Sequence, residues 1–315
     1  MDARVLLVGG FVATFLSFTA RRHWLADLLA NLRVQQVIGL LLILALFCAF
    51  RRWRWALVTV VLIAVHVPWF FSAFEPRATE RPTELTLMVA NVLTSNPHHD
   101  QVISQIAEKD PDVIAILELG TPLQERMQSE LAESYPYRVT NPQDAGNFGI
   151  GVYSKLQFDS QETFVLNIES IPTIAVEIRK DGRDYRLIAT HPPPPMGSQS
   201  FRDRNEHLSK VAERVVAFRE GNPEMSVVLL GDFNLTPWSP LMDDFESTTG
   251  LSRAGRGFGL TPTWYAQPLF PFGLVLDHGF ISDDLVCVGH DVCGPNGSDH
   301  RAVFLKLGRL ADAHQ

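Results

Sequence analysis

The sequence predicts an α/β sandwich preceded by a bundle of about three apolar helices. Three features point there. From residue 85 onward, short apolar runs of strand length alternate with stretches of helical period. Some of these runs follow one another directly and others are separated by a helix, so hairpins and crossovers are mixed, which suits a layered sandwich better than a purely parallel sheet. Ahead of them, residues 1–74 hold long apolar runs broken by little more than a few Arg.

In order, Val5–Ala20 is 16 residues without a charge, Val37–Phe50 is 14, and Trp55–Phe74 is 20, interrupted only by His66 and Pro68. A membrane span needs about 20 mostly apolar residues, so the third run qualifies and the others are short. The first run reads either as a membrane helix or as a signal peptide ending near Ala20. The Arg51–Arg54 turn makes the last two runs a helical hairpin, and Trp53, Trp55 and Trp69 suit an interfacial belt. Trp24, Leu25, Leu28, Leu29 and Leu32 fall at helical spacing between Arg21, Arg22 and Arg33, which predicts a short helix lying in the interface. The expectation is a multi-pass protein of the inner (cell) membrane, in contact with the lipid bilayer. The Arg-dense turn at 51–54 places the large domain on the extracytoplasmic side. Residues 75–84 read as a polar, Pro-containing linker, 85–308 as the main domain and 309–315 as a tail.

Of the 27 basic and 35 acidic residues, seven Arg and two acids lie in residues 1–74, which leaves 20 and 33 in residues 75–315, a formal charge of −13. Such a domain is a poor generic binder of nucleic acid, which rewards a basic surface, but clustered acids are what a divalent-metal site needs. Cys287 and Cys293 are six apart in one predicted strand, ~20 Å at ~3.3 Å per residue, too far for a disulfide. No Cys-x-x-Cys zinc pattern occurs.

Within the main domain, strands are predicted at 85–89, 112–117, 149–153, 163–166, 173–178, 185–190, 226–230, 274–281 and 302–307, with helices at 99–108, 122–134 and 202–219. Polar residues stand at the strand ends: Asn91, Glu118, His191, Asp232 with Asn234, and Asp277, while Ser298-Asp299-His300 precede the last strand. One such residue is ordinary loop chemistry. Six sites, all oxygen donors or imidazoles, suggest one convergent pocket. Asp232 and Asn234 share a strand face if the strand continues and suit a hard metal ion or a phosphoryl oxygen; the alternative is an Asx turn.

In identity, order and spacing, Asn91, the Glu118 of Ala115-Ile116-Leu117-Glu118-Leu119, Thr190-His191, Gly231-Asp232-Phe233-Asn234, Leu276-Asp277-His278 and Ser298-Asp299-His300 resemble the endonuclease/exonuclease/phosphatase superfamily, the deoxyribonuclease-I-like fold. The resemblance covers about 85–308, and the three leading helices resemble its bacterial membrane-anchored branch. It implies a four-layered α/β/β/α sandwich of two packed mixed sheets and a phosphoric ester hydrolase dependent on Mg2+ or Mn2+. It further implies Glu118 as main metal ligand, Asn91 on metal or phosphate, Asp232 activating water, Asn234 steadying phosphoryl oxygens and Asp299 as a further metal or water-orienting carboxylate. His300 would face the scissile phosphate with Asp277 fixing its tautomer, and His191 would protonate the leaving group. Arg204 matches an Arg of this branch and either clamps a phosphate or lies on the helix surface; Trp264 either walls the pocket or packs in the core. The substrate class is a phosphodiester or phosphomonoester, lipid-linked ones included. A tethered nuclease, disfavoured by the acidic charge, and a non-catalytic binding domain are the competing readings.

Overall fold

The computed structural model describes residues 3–77, 80–265 and 273–310. The predicted tail from 311 onward and two linker residues lie outside these. Two six-stranded mixed sheets form the centre of the main domain. In the first, β1 (Leu85–Asn91) pairs parallel with β2 (Val113–Leu117), and in the second, β7 (Arg183–Thr190) pairs parallel with β8 (Ser226–Asp232). Parallel neighbours need a crossover, and helices supply both: α5 (His99–Lys109) and the 24-residue α7 (Ser198–Gly221). All other pairings are antiparallel. The first sheet is completed by β3 (Tyr137–Asn141), β4 (Ile150–Ser154), β11 (Leu285–Val292) and β12 (Val303–Arg309), and the second by β5 (Phe158–Val165), β6 (Pro172–Lys180), β9 (Ser252–Arg253) and β10 (Asp277–Ile281).

Strand alternation sends one set of apolar side chains between the sheets and the other set outward. Leu87, Val89, Val113, Ala115, Val228 and Leu230 meet in the inter-sheet core. Met88, Ala90, Ile114 and Ile116 face outward, under α5 and α6 (Thr121–Glu130). Val227, Leu229 and Phe280 lie under α7 and α8 (Pro240–Thr249). Three cores between four layers make the α/β/β/α sandwich. Strand β3, helix α8 and the short β9 were not foreseen, and the second predicted helix ends four residues early, at Glu130.

The topology itself positions the polar residues. In each sheet the central pair is parallel, so both strands deliver their C-terminal ends to one edge: Asn91 is in register with Leu117, the residue before Glu118, and Thr190 with Gly231. Antiparallel β10 enters from that edge with Asp277 opposite Asp232. Gly231 is needed here because a Cβ would sit 2.1 Å from the Thr190 carbonyl oxygen.

Of the leading segment, α1 (Ala3–Ser17) covers 15 residues, about 22 Å at 1.5 Å per residue, short of a ~30 Å hydrocarbon core. Helix α4 (Trp53–His66) runs on as 3-10 turns from Val67 to Phe74, where Pro68 removes a backbone donor. Together they form the single 22-residue helix long and apolar enough to span a membrane among the described residues. The short α2 (Trp24–Asn31) and α3 (Arg33–Ala49) meet at 67° and make a second candidate only if taken as one broken span. Three independent spans were expected; one is found, or two with the bent pair. His66 Nε2 lies 3.1 Å from Thr14 Oγ1 of α1, which ties the two helices together. Cys48, Cys287 and Cys293 are free thiols.

Candidate active site

Asn91 is the bridge between the two sheets. Its Nδ2 donates to Glu118 Oε1 at 2.9 Å and to Asp232 Oδ2 at 3.2 Å. Glu118 can aim back toward Asn91 because its backbone takes φ +58, a left-handed value uncommon for a non-glycine residue and often seen at functional sites. The Nε2 atoms of His191 and His300 each lie 3.5 Å from Asp232 Oδ2. Asp277 Oδ2 is 2.8 Å from His300 Nδ1, and so fixes that ring. Asp277 is held in turn by its N–H donating to Thr263 Oγ1 at 3.1 Å. Ser298 is not a nucleophile: its Oγ donates to the Asn91 carbonyl and accepts from the His300 N–H.

Burial makes the electrostatics strong. It pushes the Glu118 carboxyl up, against the opposing pull of His191 and Asn91. It also works against ionised Asp232, but His300 and His191 overcome it and hold that carboxyl well below its usual range. Burial would depress His191, and the hydrogen bond and charge of Asp232 raise it instead. For His300, Asp277 and Asp232 outweigh burial and push the imidazole up to about 10. His300 thus favours the cation at neutral pH, with Nδ1 bonded to Asp277 and an N–H on Nε2 facing Asp232. If that donor serves the reaction, kcat/KM falls as pH rises through about 10. In Asp277→Asn the supporting charge is gone, so the alkaline limb moves to lower pH by about one unit or more. A pH–rate profile with the same alkaline limb in both proteins would remove His300 as the titrating donor.

Asp232, Asp277 and His300 each bring one ligand atom within 4.8 Å of the others, a buried candidate centre for a divalent metal. The donor chemistry fits such an ion. Glu118, Asp232 and Asp277 are three buried carboxylates in one cluster, and Asp277 Oδ1 and His191 Nδ1 are buried without a hydrogen-bond partner. Asp299 lies further out, half-exposed, with its Oδ2 accepting from Trp264 Nε1 at 2.9 Å. Trp264 lines the cavity beside Asp299. The cluster opens into a cavity of about 440 Å³ that Asn234 and Asp299 also line.

Two expectations need correcting. Asn234 does not share a strand face with Asp232, because β8 ends at Asp232 and Asn234 turns to φ +50. Its N–H donates to Asp232 Oδ1 at 2.9 Å and its Nδ2 to the Pro192 carbonyl, so the Asx turn and the candidate site are the same object. Arg204 neither clamps a phosphate nor lies on a helix surface. It is fully buried, with Nη1 on Asp27 Oδ2 at 2.9 Å and on the Asn234 carbonyl at 3.1 Å. His278, on the opposite face of β10, bonds the Leu235 carbonyl away from the site.

Helix α2 supplies what the sequence reading missed. It does not simply lie in a membrane interface; one face is docked on the main domain. Asn31 Oδ1 accepts from the Thr236 N–H and Oγ1, and Trp238 Nε1 donates to the Asn31 carbonyl. Leu28 and Asn31 reach the cavity wall. The signal was Asp27, one of only two acids in 74 residues: a buried acid needs a partner.

The comparisons agree with this architecture. None of the functionally curated proteins matches the sequence significantly. Among solved structures, humanized D. rerio TDP2 carrying 14 mutations superposes with a TM-score of 0.60 at 17% identity, covering 72% of this chain and 100% of that one. The human Nocturnin catalytic domain with bound sulfate anion gives 0.57 at 17%, covering 75% and 100%. The endonuclease/exonuclease/phosphatase from Beutenbergia cavernae DSM 12333 gives 0.58 at 21%, covering 72% of each chain. At such identities these likenesses establish the fold alone. Residues 88–300 match the model of the Endonuclease/Exonuclease/phosphatase family, more than half of the chain, and the protein belongs to that family.

Proposed function

We infer that the protein is a membrane-anchored, divalent-metal-dependent phosphoesterase that hydrolyses a phosphate ester by in-line attack of water. The observation that carries this is the meeting of Glu118, Asn91, Asp232, His191 and His300 around one buried point at the mouth of a cavity. Glu118 and Asn91, with Asp232 beside them, form the hard oxygen set suited to Mg2+ or Mn2+. His300 is the weaker metal ligand of the candidate trio, since its Nδ1 is engaged by Asp277 and a protonated ring has no lone pair to give. When bound, the ion supplies positive charge that polarises the phosphoryl group.

The residues divide the remaining work. Asp232, ionised at neutral pH, takes the proton of the attacking water. His300 donates from Nε2 to the phosphoryl oxygens as charge builds on them, aided by Asn234. His191 gives a proton to the departing oxygen. The water oxygen bonds to phosphorus, the ester bond breaks and no protein nucleophile is consumed. Asp299, set by Trp264, is the outer carboxylate available to orient water or a second cation.

Membrane anchoring is supported by where apolar surface is exposed. Among the described residues, 22 of the 26 exposed large hydrophobic side chains fall in the first 74 positions. Patches of that extent mark a lipid or protein contact. The Arg51–Arg54 turn favours an extracytoplasmic position for the catalytic domain.

The test is hydrolysis of a chromogenic phosphodiester, a phosphomonoester and plasmid DNA by the full chain in detergent micelles. Activity that appears with Mg2+ or Mn2+ and is abolished by EDTA is the expected result. Cleavage of DNA alone would replace this reading with that of a tethered nuclease, for which the fold likeness to D. rerio TDP2 "complexed with single strand DNA product" is the supporting observation. Inactivity on all three would favour a non-catalytic binding domain.

A further inference from the structure

The cavity is lined by two kinds of chemistry. Carboxylates and imidazoles form the site, and Leu28, Leu93, Phe148, Met196, Leu274 and Leu276 add apolar wall to the same space, Phe148 with its ring centroid 5.5 Å from that of His191. Hydrolysis of a phosphate ester does not by itself call for such a wall. A wholly polar substrate would lose water against it and gain nothing in return.

The position of Leu28 is built in. On α2 it lies between Asp27 and Asn31, and both are buried and tied to the main domain, Asp27 through Arg204 and Asn31 through Thr236 and Trp238. Leu28 is thereby held at the cavity wall by bonds on either side. Met196, also on the cavity wall, is 76% exposed, and it is one of only four exposed large apolar side chains beyond residue 74 among those described. A flexible thioether at a cavity rim adapts to apolar ligands of varied shape.

We propose that the cavity takes an amphiphilic phosphate ester, with the phosphate at Asp232 and an alkyl chain along the wall of Leu28, Phe148 and Met196. Leu28 is then a specificity-determining residue contributed by the membrane-side segment. The same segment carries most of the exposed apolar surface, so enzyme and substrate share one bilayer and tethering raises their local concentration. This rests on the phosphoesterase reading for the reaction but not for the apolar subsite.

The experiment compares hexadecyl p-nitrophenyl phosphate with methyl p-nitrophenyl phosphate. Both release p-nitrophenolate by breaking the same phosphorus–oxygen bond as water adds to phosphorus. In the full chain in nanodiscs, the long-to-short ratio of kcat/KM is expected to be at least about tenfold. It should fall roughly tenfold in Leu28→Asn and recover in Leu28→Met, which keeps volume and apolarity. Partitioning of the long ester into the bilayer is common to all three proteins, so the change in ratio isolates the subsite. No chain-length preference, or a ratio unmoved by Leu28→Asn, overturns the proposal; a merely structural defect would lower both substrates together and leave the ratio in place. If neither ester is turned over, calorimetric binding of hexadecyl phosphate and methyl phosphate reads the same ratio. A Leu28-dependent preference there keeps the subsite and rejects the phosphoesterase reading; its absence rejects the subsite.

Discussion

Asp232→Ala leaves a folded protein and lowers kcat by about 10²–10⁴-fold, the range expected on losing a positioned general base. No other side chain at the site has so many partners. Its two oxygens meet Asn91, His191, His300 and the N–H of Asn234. On the proposed mechanism, removing it takes away the base and also the negative charge that raises both imidazoles. The loss should therefore be accompanied by a downward move of any alkaline limb in the pH–rate profile. Steady-state kinetics on the chromogenic diester, with circular dichroism to verify folding, measures both. A variant retaining more than a tenth of wild-type kcat would show that the water is activated elsewhere.

The second large effect is on stability. Asp27→Ala strands the Arg204 guanidinium in the interior, with its remaining acceptors the Asn234 carbonyl and Asn205 Oδ1. Breaking a fully buried pair on one side costs about 3–5 kcal/mol. Replacing both partners, as Asp27→Leu with Arg204→Met, should return most of that, since an apolar pair needs no compensation for lost hydration. Thermal unfolding of the full chain in one detergent, comparing the single and double variants, reads the difference. Equal melting temperatures for wild type and Asp27→Ala would mean that water reaches Arg204 and that α2 is not docked as described. A secondary loss of activity is expected too, because Arg204 bonds the carbonyl of Asn234, two residues from Asp232.

Much of the site was legible because it stands on regular elements. Apolar strands with polar C-terminal residues and helical crossovers imply parallel neighbours, and parallel neighbours bring those residues to one edge. Asn91, Glu118, His191 and Asp232 meet for that reason, and Asp277 and His300 join them from the N-terminal sides of antiparallel β10 and β12. The reading failed where backbone geometry departs from the strand: Asn234 leaves the pleat through a left-handed residue, which no side-chain period announces. It also failed where a fully buried charge resembled a surface one. Arg204 follows the pattern of a solvated helix, and its partner Asp27 is 177 residues away. Strand β5 was caught only at its end because Asp159, Gln161 and Glu162 disguise an exposed edge strand. Helix α8 was signalled, with Ser239 capping its first turn, Pro240 opening it and Gly250 closing it at φ +66, and those signals went unread.

The clasp between Asn31 and Thr236 joins residues 205 positions apart. At about 5–20 residues per second of synthesis, Asn31 emerges from the ribosome some 10–40 seconds before its partner. The leading helices are thus synthesised well before the surface on which α2 docks. The catalytic domain then matures against a surface already laid down, and the reactive pocket closes only when translation is nearly finished. Order of synthesis thereby makes the pocket wall that α2 supplies available before the residues it closes over.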